Sequence, residues 1–206
     1  MSFDQSHSSC PHQPQPAWQL KQPDLPSDEQ DGVIYLFGRR ASRLYYTRLD
    51  QALILWAIAV AIIFLTARFH AFDWHQQAKV WSALSLSVLV ASSLRAWPWA
   101  LAKQLRWVVY CWIGITLLGL GLTDYGIYRS VIPILLNLSP LWLGLSALGY
   151  GITAWGMGSR ALGGIALVHL GAIALLWLWP SYAFLITGAV ISGCLFALAQ
   201  FQWDHC

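Results

Sequence analysis

Charge is what this sequence has least of. Only 10% of its 206 residues are Asp, Glu, Lys or Arg, against 57% hydrophobic, and the mean hydropathy is +0.53. Soluble domains carry about a quarter charged residues. A polar shell around a chain of this size is therefore excluded, and the solvent left for its surface is lipid. Cysteine spacing excludes more. Cys10, Cys111, Cys194 and Cys206 form no C-x-x-C pair and no disulfide framework, and Cys111 and Cys194 lie in apolar runs, where a thiol acts as a small hydrophobe. H-E-x-x-H, a P-loop and a Rossmann glycine motif are missing, and with them the usual zinc-protease and nucleotide chemistries. The first 31 residues contain no apolar core of a signal peptide. The alternation expected of barrel strands is absent as well.

What is present is a series of apolar runs behind a polar leader. Residues 1–31 hold five of the nine prolines among Ser, Gln and Asp; such a segment cannot bury enough apolar surface to offset its entropy and is expected to be a disordered cytosolic tail. Residues 32–48 form a basic juxtamembrane segment in which "GVIYLF" is too short to span and reads as an interfacial turn or a docking strand. Crossing about 30 Å of hydrocarbon takes about 20 helical residues. Six runs meet or approach that length, over residues 49–67, 79–95, 105–123, 140–157, 161–179 and 182–201. The fourth is placed by "NLSP", with Ser139 as N-cap and Pro140 opening the helix. That leaves residues 127–138 as an interfacial or re-entrant piece broken by Pro133. The expected fold is an all-α, polytopic integral membrane bundle of six transmembrane helices at 49–203.

Orientation follows from basic residues near the spans. With the N-terminus inside, Lys21, Arg39, Arg40, Arg43, Arg48, Arg95, Lys103, Arg106 and Arg160 fall inside, and Arg68, Lys79 and Arg129 outside. Both termini are thus expected in the cytosol, of a bacterial plasma membrane or an internal membrane such as the thylakoid. Tryptophans fit two headgroup levels: Trp74, Trp81, Trp142, Trp177 and Trp179 outside, Trp97, Trp99, Trp107, Trp155 and Trp203 inside. Arg39, Arg40, Arg43 and Arg48 in "FGRRASRLYYTRLD" read as the topological anchor. No basic folded face accompanies them, so nucleic acid is excluded as a partner.

Helices in lipid associate through small residues. Gly144, Ala147, Gly151, Ala154 and Gly158 recur at three- and four-residue intervals on one face of the fourth span, and Ala189, Gly193 and Ala197 do so on the sixth. Both stripes are read as packing or partner faces. Ser82, Ser85 and Ser92 share one face of the second span, where hydroxyls can bond a carbonyl or a neighbouring helix.

Chemistry is sparse. No Asp, Glu, Lys or Arg lies deep in an expected span, which argues against ion-coupled transport. His169 is the one ionisable side chain at mid-membrane depth. It is either an axial ligand for haem or a chlorin, or a neutral imidazole bonded to a neighbouring helix. "FHAFDWH" brings His70, Asp73 and His75 together at a spacing that suits no common helical metal site. Cys10, His12, His205 and Cys206 are read as tail residues. "GLSA" (144–147) is similar to the G-x-S-G of rhomboid intramembrane proteases, but Ala147 replaces the second glycine. The sixth span also has no histidine to serve as base, so no catalytic residue is assigned. Three functions remain. The first expectation is a non-enzymatic assembly factor, scaffold or accessory subunit whose partners are the bilayer and other membrane proteins, with no cofactor. The second is a small transporter or channel for a neutral or hydrophobic solute. The third is pigment or haem binding through His169.

Overall fold

A computed structural model describes residues 16–21, 32–35, 45–69 and 73–203. Among the described residues seven helices follow one another: α1 (Arg48–Phe69), α2 (Trp74–Ala102), α3 (Arg106–Tyr128), the short α4 (Ile132–Leu136), α5 (Leu138–Met157), α6 (Arg160–Leu178) and, after a 3-10 turn at Pro180–Tyr182, α7 (Ala183–Gln200). Tight connections make successive long helices antiparallel. The end that carries both termini of the bundle is called proximal here, and the opposite end distal. Two small antiparallel strand pairs sit at the proximal end: β1 (Trp18–Leu20) with β4 (Phe201–Trp203), and β2 (Ile34–Tyr35) with β3 (Tyr45–Tyr46).

Helix ends follow from local chemistry. Thr47 Oγ1 accepts from Asp50 N at 3.2 Å while Asp50 Oδ2 accepts from Thr47 N at 2.8 Å, the reciprocal arrangement of a capping box. Ser159 caps α6 by accepting from Leu162 N at 3.3 Å. Gly158 closes α5 in the left-handed region at φ 65°, where a side chain would be strained. It is exposed, so it serves the α5–α6 turn and not a packing stripe.

Five segments are long and apolar enough to cross a membrane: α1, α2, α3, α6 and Pro180–Gln200. At 20 uncharged residues α5 is as long, but its Gly, Ser, Thr and Tyr lower its hydropathy. The chain is an all-α membrane protein. Its outward faces are as apolar as its inward ones, with Ile58, Ile62, Leu117, Leu118, Leu167 and Leu170 exposed, as expected where lipid replaces water. The packing is closest between α1 and α7 and between α5 and α6, and the main core gathers Phe64, Leu143, Tyr150, Leu162, Ile165, Ile191 and Leu198.

Several boundaries differ from those read in the sequence. Arg95 does not stop the second helix, because its side chain is exposed and donates to Gln51 Oε1. The helix runs on through Pro98 to Ala102. Asp124 does not end the third, which continues to Tyr128. Asn137, not Ser139, precedes α5; its carbonyl accepts from Leu141 N at 2.9 Å and Ser139 is buried in the first turn. Pro133 starts α4 instead of breaking a helix, since the missing N–H costs nothing in a first turn. Trp18–Leu20, read as part of a disordered tail, is paired strand. Arg39, Arg40, Arg43, His70, Cys10, His12, His205 and Cys206 lie outside the described residues.

Candidate functional site

Four tryptophans show how the bundle is held. Trp56 Nε1 of α1 donates to Ser92 Oγ of α2 at 2.9 Å, and Trp81 Nε1 of α2 donates back to Thr66 Oγ1 of α1 at 3.0 Å. Trp112 of α3 donates to Thr153 Oγ1 of α5 at 3.2 Å, and Trp142 of α5 donates back to Thr123 Oγ1 of α3 at 3.2 Å. Each accepting threonine of the α3–α5 pair passes its own proton to the carbonyl four residues earlier: Thr153 to Gly149 at 2.7 Å, Thr123 to Gly119 at 2.8 Å. The same two glycines seat the indoles. A Cβ on Gly149 would lie 2.8 Å from Trp112 Cη2, and one on Gly119 2.7 Å from Trp142 Cη2. Indole N–H groups buried away from water need acceptors, and a threonine bonded to its own helix offers lone pairs without leaving a donor unmet.

This pair is a repeat written in the sequence. "WIGITLLGLGLT" (112–123) and "WLGLSALGYGIT" (142–153) agree at Trp, Gly, Leu, Gly, Gly and Thr. Tryptophan, glycine and threonine stand at relative positions 0, 7 and 11, which lie on one helical face at 3.6 residues per turn. Two antiparallel copies then dock by a local two-fold, each supplying the indole for the other's glycine and threonine. Sequence reasoning missed it by counting small residues at three- and four-residue intervals instead of comparing the chain with itself.

Between these locks lies a cavity of about 240 Å³. Every long helix contributes to its wall, and along α1 the lining runs from Leu49 to Ala67. From Leu49 to Ala67 the helix rises roughly 27 Å, close to the hydrocarbon thickness of about 30 Å. The wall is chiefly apolar, with Leu53, Val60, Leu89, Val109, Leu145 and Ile191 among its residues, and hydroxyls enter from Ser85, Ser92, Thr116 and Ser146. Thr116 and Ser146 occupy equivalent positions in the two repeat copies. At the distal end Asp124 lines the cavity, and its two oxygens lie 2.9 and 2.8 Å from Ser82 Oγ.

At the proximal end, segments near both ends of the described chain meet the start of α1. Lys21 Nζ lies 2.6 Å from Asp50 Oδ2 and donates to Tyr45 O at 2.9 Å, with its ammonium 5.1 and 4.9 Å from the ring centres of Tyr45 and Tyr46. Gln200 Nε2 donates to Tyr46 Oη at 2.7 Å. Trp203, on the strand that pairs with Trp18–Leu20, lines the cavity there.

His169 is 0% exposed. Its Nδ1 lies 2.8 Å from Ile165 O of its own helix, Nε2 has no hydrogen-bond partner among the described residues, and Tyr150 packs on the ring at 5.2 Å between centres. Tyr150 lines the cavity and His169 does not, so the phenol separates the imidazole from the cavity. On α5, Gly144 and Gly151 meet nothing where a side chain would stand, while Ala147 is buried and Ala154 faces Gly163 of α6, a Cβ on which would lie 3.9 Å from the Ala154 methyl. On α7, Ala189 and Gly193 are exposed and Ala197 is half-buried. The glycine that does admit a neighbour there is Gly188, where a Cβ would lie 2.6 Å from Phe64 Cβ of α1. Trp81 and Trp142, read as headgroup anchors, are interhelical locks, whereas Trp155 and Trp177 are exposed near helix ends. Arg48 opens α1, beside Gly32. Among the described residues no group of three metal-capable side chains occurs.

No protein-family model, curated protein or solved structure matches the chain.

Proposed function

We propose that this protein holds a small apolar or amphipathic solute inside the membrane, as a transporter or channel of six spans does. The cavity carries this reading: it is walled by all six long helices, extends along α1 for about the hydrocarbon thickness, and is mostly apolar with hydroxyls that fix orientation. Such a composition is usual for small-molecule sites. An apolar cavity of about 150 Å³ already binds benzene in another protein, so a solute of one or two rings is within reach here. The test is saturable binding of neopentylbenzene to the purified protein in a non-ionic detergent, followed by ligand-detected NMR. Filling the wall with Ser85→Phe should weaken it. Non-saturable partitioning in both proteins would overturn the reading.

The same reading places both termini in the cytosol. Among the described residues Lys21, Arg48, Arg95, Lys103, Arg106 and Arg160 lie at the proximal end, against Arg68, Lys79 and Arg129 at the distal end, and Arg39, Arg40 and Arg43 add to the proximal count in sequence. Neutralising Arg39, Arg40, Arg43 and Arg48 together should mix the orientation of reporter fusions, and a fully retained orientation would remove the anchor. A bacterial plasma membrane or a thylakoid fits the composition equally well.

The second reading, an assembly factor or accessory subunit, rests on Ala189 and Gly193, whose small side chains face outward on α7 and leave room for a partner helix. A stoichiometric membrane partner recovered in mild detergent, and lost on Gly193→Leu, would favour it over the cavity.

A further inference from the structure

We propose that the distal end of the cavity is a cation site and that its ligand is an amphiphile with an ammonium head and an apolar body. The inference rests on the cavity reading above and adds the charge of what enters. Asp124 is the one carboxylate in the cavity wall among the described residues. It stands one turn before the C-terminus of α3, where the negative end of the helix dipole disfavours a carboxylate and favours a cation. Among the described residues no Lys, Arg or His forms an ion pair with it.

Among the described residues its one side-chain donor is insufficient. The hydroxyl of Ser82 reaches both oxygens but has one proton to give, and an ionised carboxylate offers about four lone-pair sites. Asp124 is half-buried and, among the described residues, forms no ion pair; charged side chains on membrane helices that face a cavity without one mark ligand or ion paths. Comparison of the two repeat copies strengthens the point. The residue after the shared threonine is Asp124 in the first copy and Ala154 in the second, so the docking of the two helices has no need of a carboxylate there.

The surroundings suit a substituted ammonium better than a bare metal ion. Trp81 and Trp142 line the same end, beside Ser82 and Thr123 respectively, and indole faces attract quaternary ammonium groups. A metal ion would require several oxygen ligands, and among the described residues no second carboxylate lines the cavity. The apolar wall beyond Ser85 and Thr116 then receives the body of the ligand.

Two isosteric probes test this on the full chain in non-ionic detergent: benzyltrimethylammonium and neutral neopentylbenzene, in which carbon replaces the ammonium nitrogen. The wild-type protein should bind both saturably, the cation more tightly. Asp124→Asn should weaken the cation roughly thirtyfold or more and leave neopentylbenzene unchanged. Equal cation affinity in the two proteins, with neopentylbenzene still bound, would overturn the cation site while the cavity reading stands. Saturable binding of neither probe would overturn both. If Asp124→Asn fails to fold, the ¹³C-carboxylate resonance of Asp124 in the wild-type protein decides: a saturable shift with the cation and not with its isostere supports the site, and no shift overturns it.

Discussion

Asp50 and Asp124 are the same side chain set near opposite ends of one bundle, and their surroundings could hardly differ more. Asp50 is 6% exposed and fully engaged: Lys21 lies 2.6 Å away and the Thr47 amide 2.8 Å. Asp124 faces a cavity with one hydroxyl beside it. The first carboxylate ties an N-terminal segment to the start of α1 and is complete within the protein. The second has spare acceptor capacity and forms no ion pair among the described residues. An intramembrane carboxylate is thus informative only when its partners are counted.

The largest effect is expected from breaking the complete site. Both side chains of the Lys21–Asp50 pair are nearly buried, at 8% and 9% exposure, and removing one partner of such a pair costs about 3–5 kcal/mol. Lys21→Met should lower stability by that order in denaturant titration within bicelles, and Asp50→Asn added to it should recover part. Next comes the repeat. Gly149→Ala and Gly119→Ala each push a methyl into an indole and should cost about 1–3 kcal/mol, alike in both copies. Gly144→Ala and Gly151→Ala meet open space and should stay within about 0.5 kcal/mol. Removing an indole donor is milder. Trp112→Phe paired with Thr153→Val in a double-mutant cycle should show coupling of about 0.6 kcal/mol, the usual value between membrane helices. The smallest effect sharpens the contrast most. Asp124→Asn should change stability by less than about 0.5 kcal/mol. A loss as large as that of Lys21→Met would make Asp124 structural and end the distinction between the two aspartates.

Much of the fold is legible in the sequence because lipid imposes a length rule on apolar runs, and the long helices lie where those runs lie. Ends were harder. Arg95 and Asp124 look like stops, yet a helix tolerates a charge that reaches an exposed surface or a cavity. Trp81 and Trp142 show a related limit: an indole at headgroup level and an interhelical lock can occupy the same depth, and only the position of a hydroxyl on another helix reveals the lock. The stripe of Ala189, Gly193 and Ala197 shows what spacing leaves open: Ala189 and Gly193 face outward and Ala197 is half-buried, while Gly188, one place away from Ala189, meets α1. The cavity was not legible at all. Its wall draws a few residues from successive turns of several helices and a single one, Leu162, from α6, so no segment carries its mark.

The twelve-residue motif shared by α3 and α5 has one further consequence. Two antiparallel copies related by a two-fold present the same indole, glycine and threonine whichever face of the bilayer they are viewed from. Taken alone, that helix pair is blind to sidedness. It would assemble equally well upside down, so the handed information in this protein must reside in what flanks the pair: the basic residues at one end, and the carboxylate that only one copy carries.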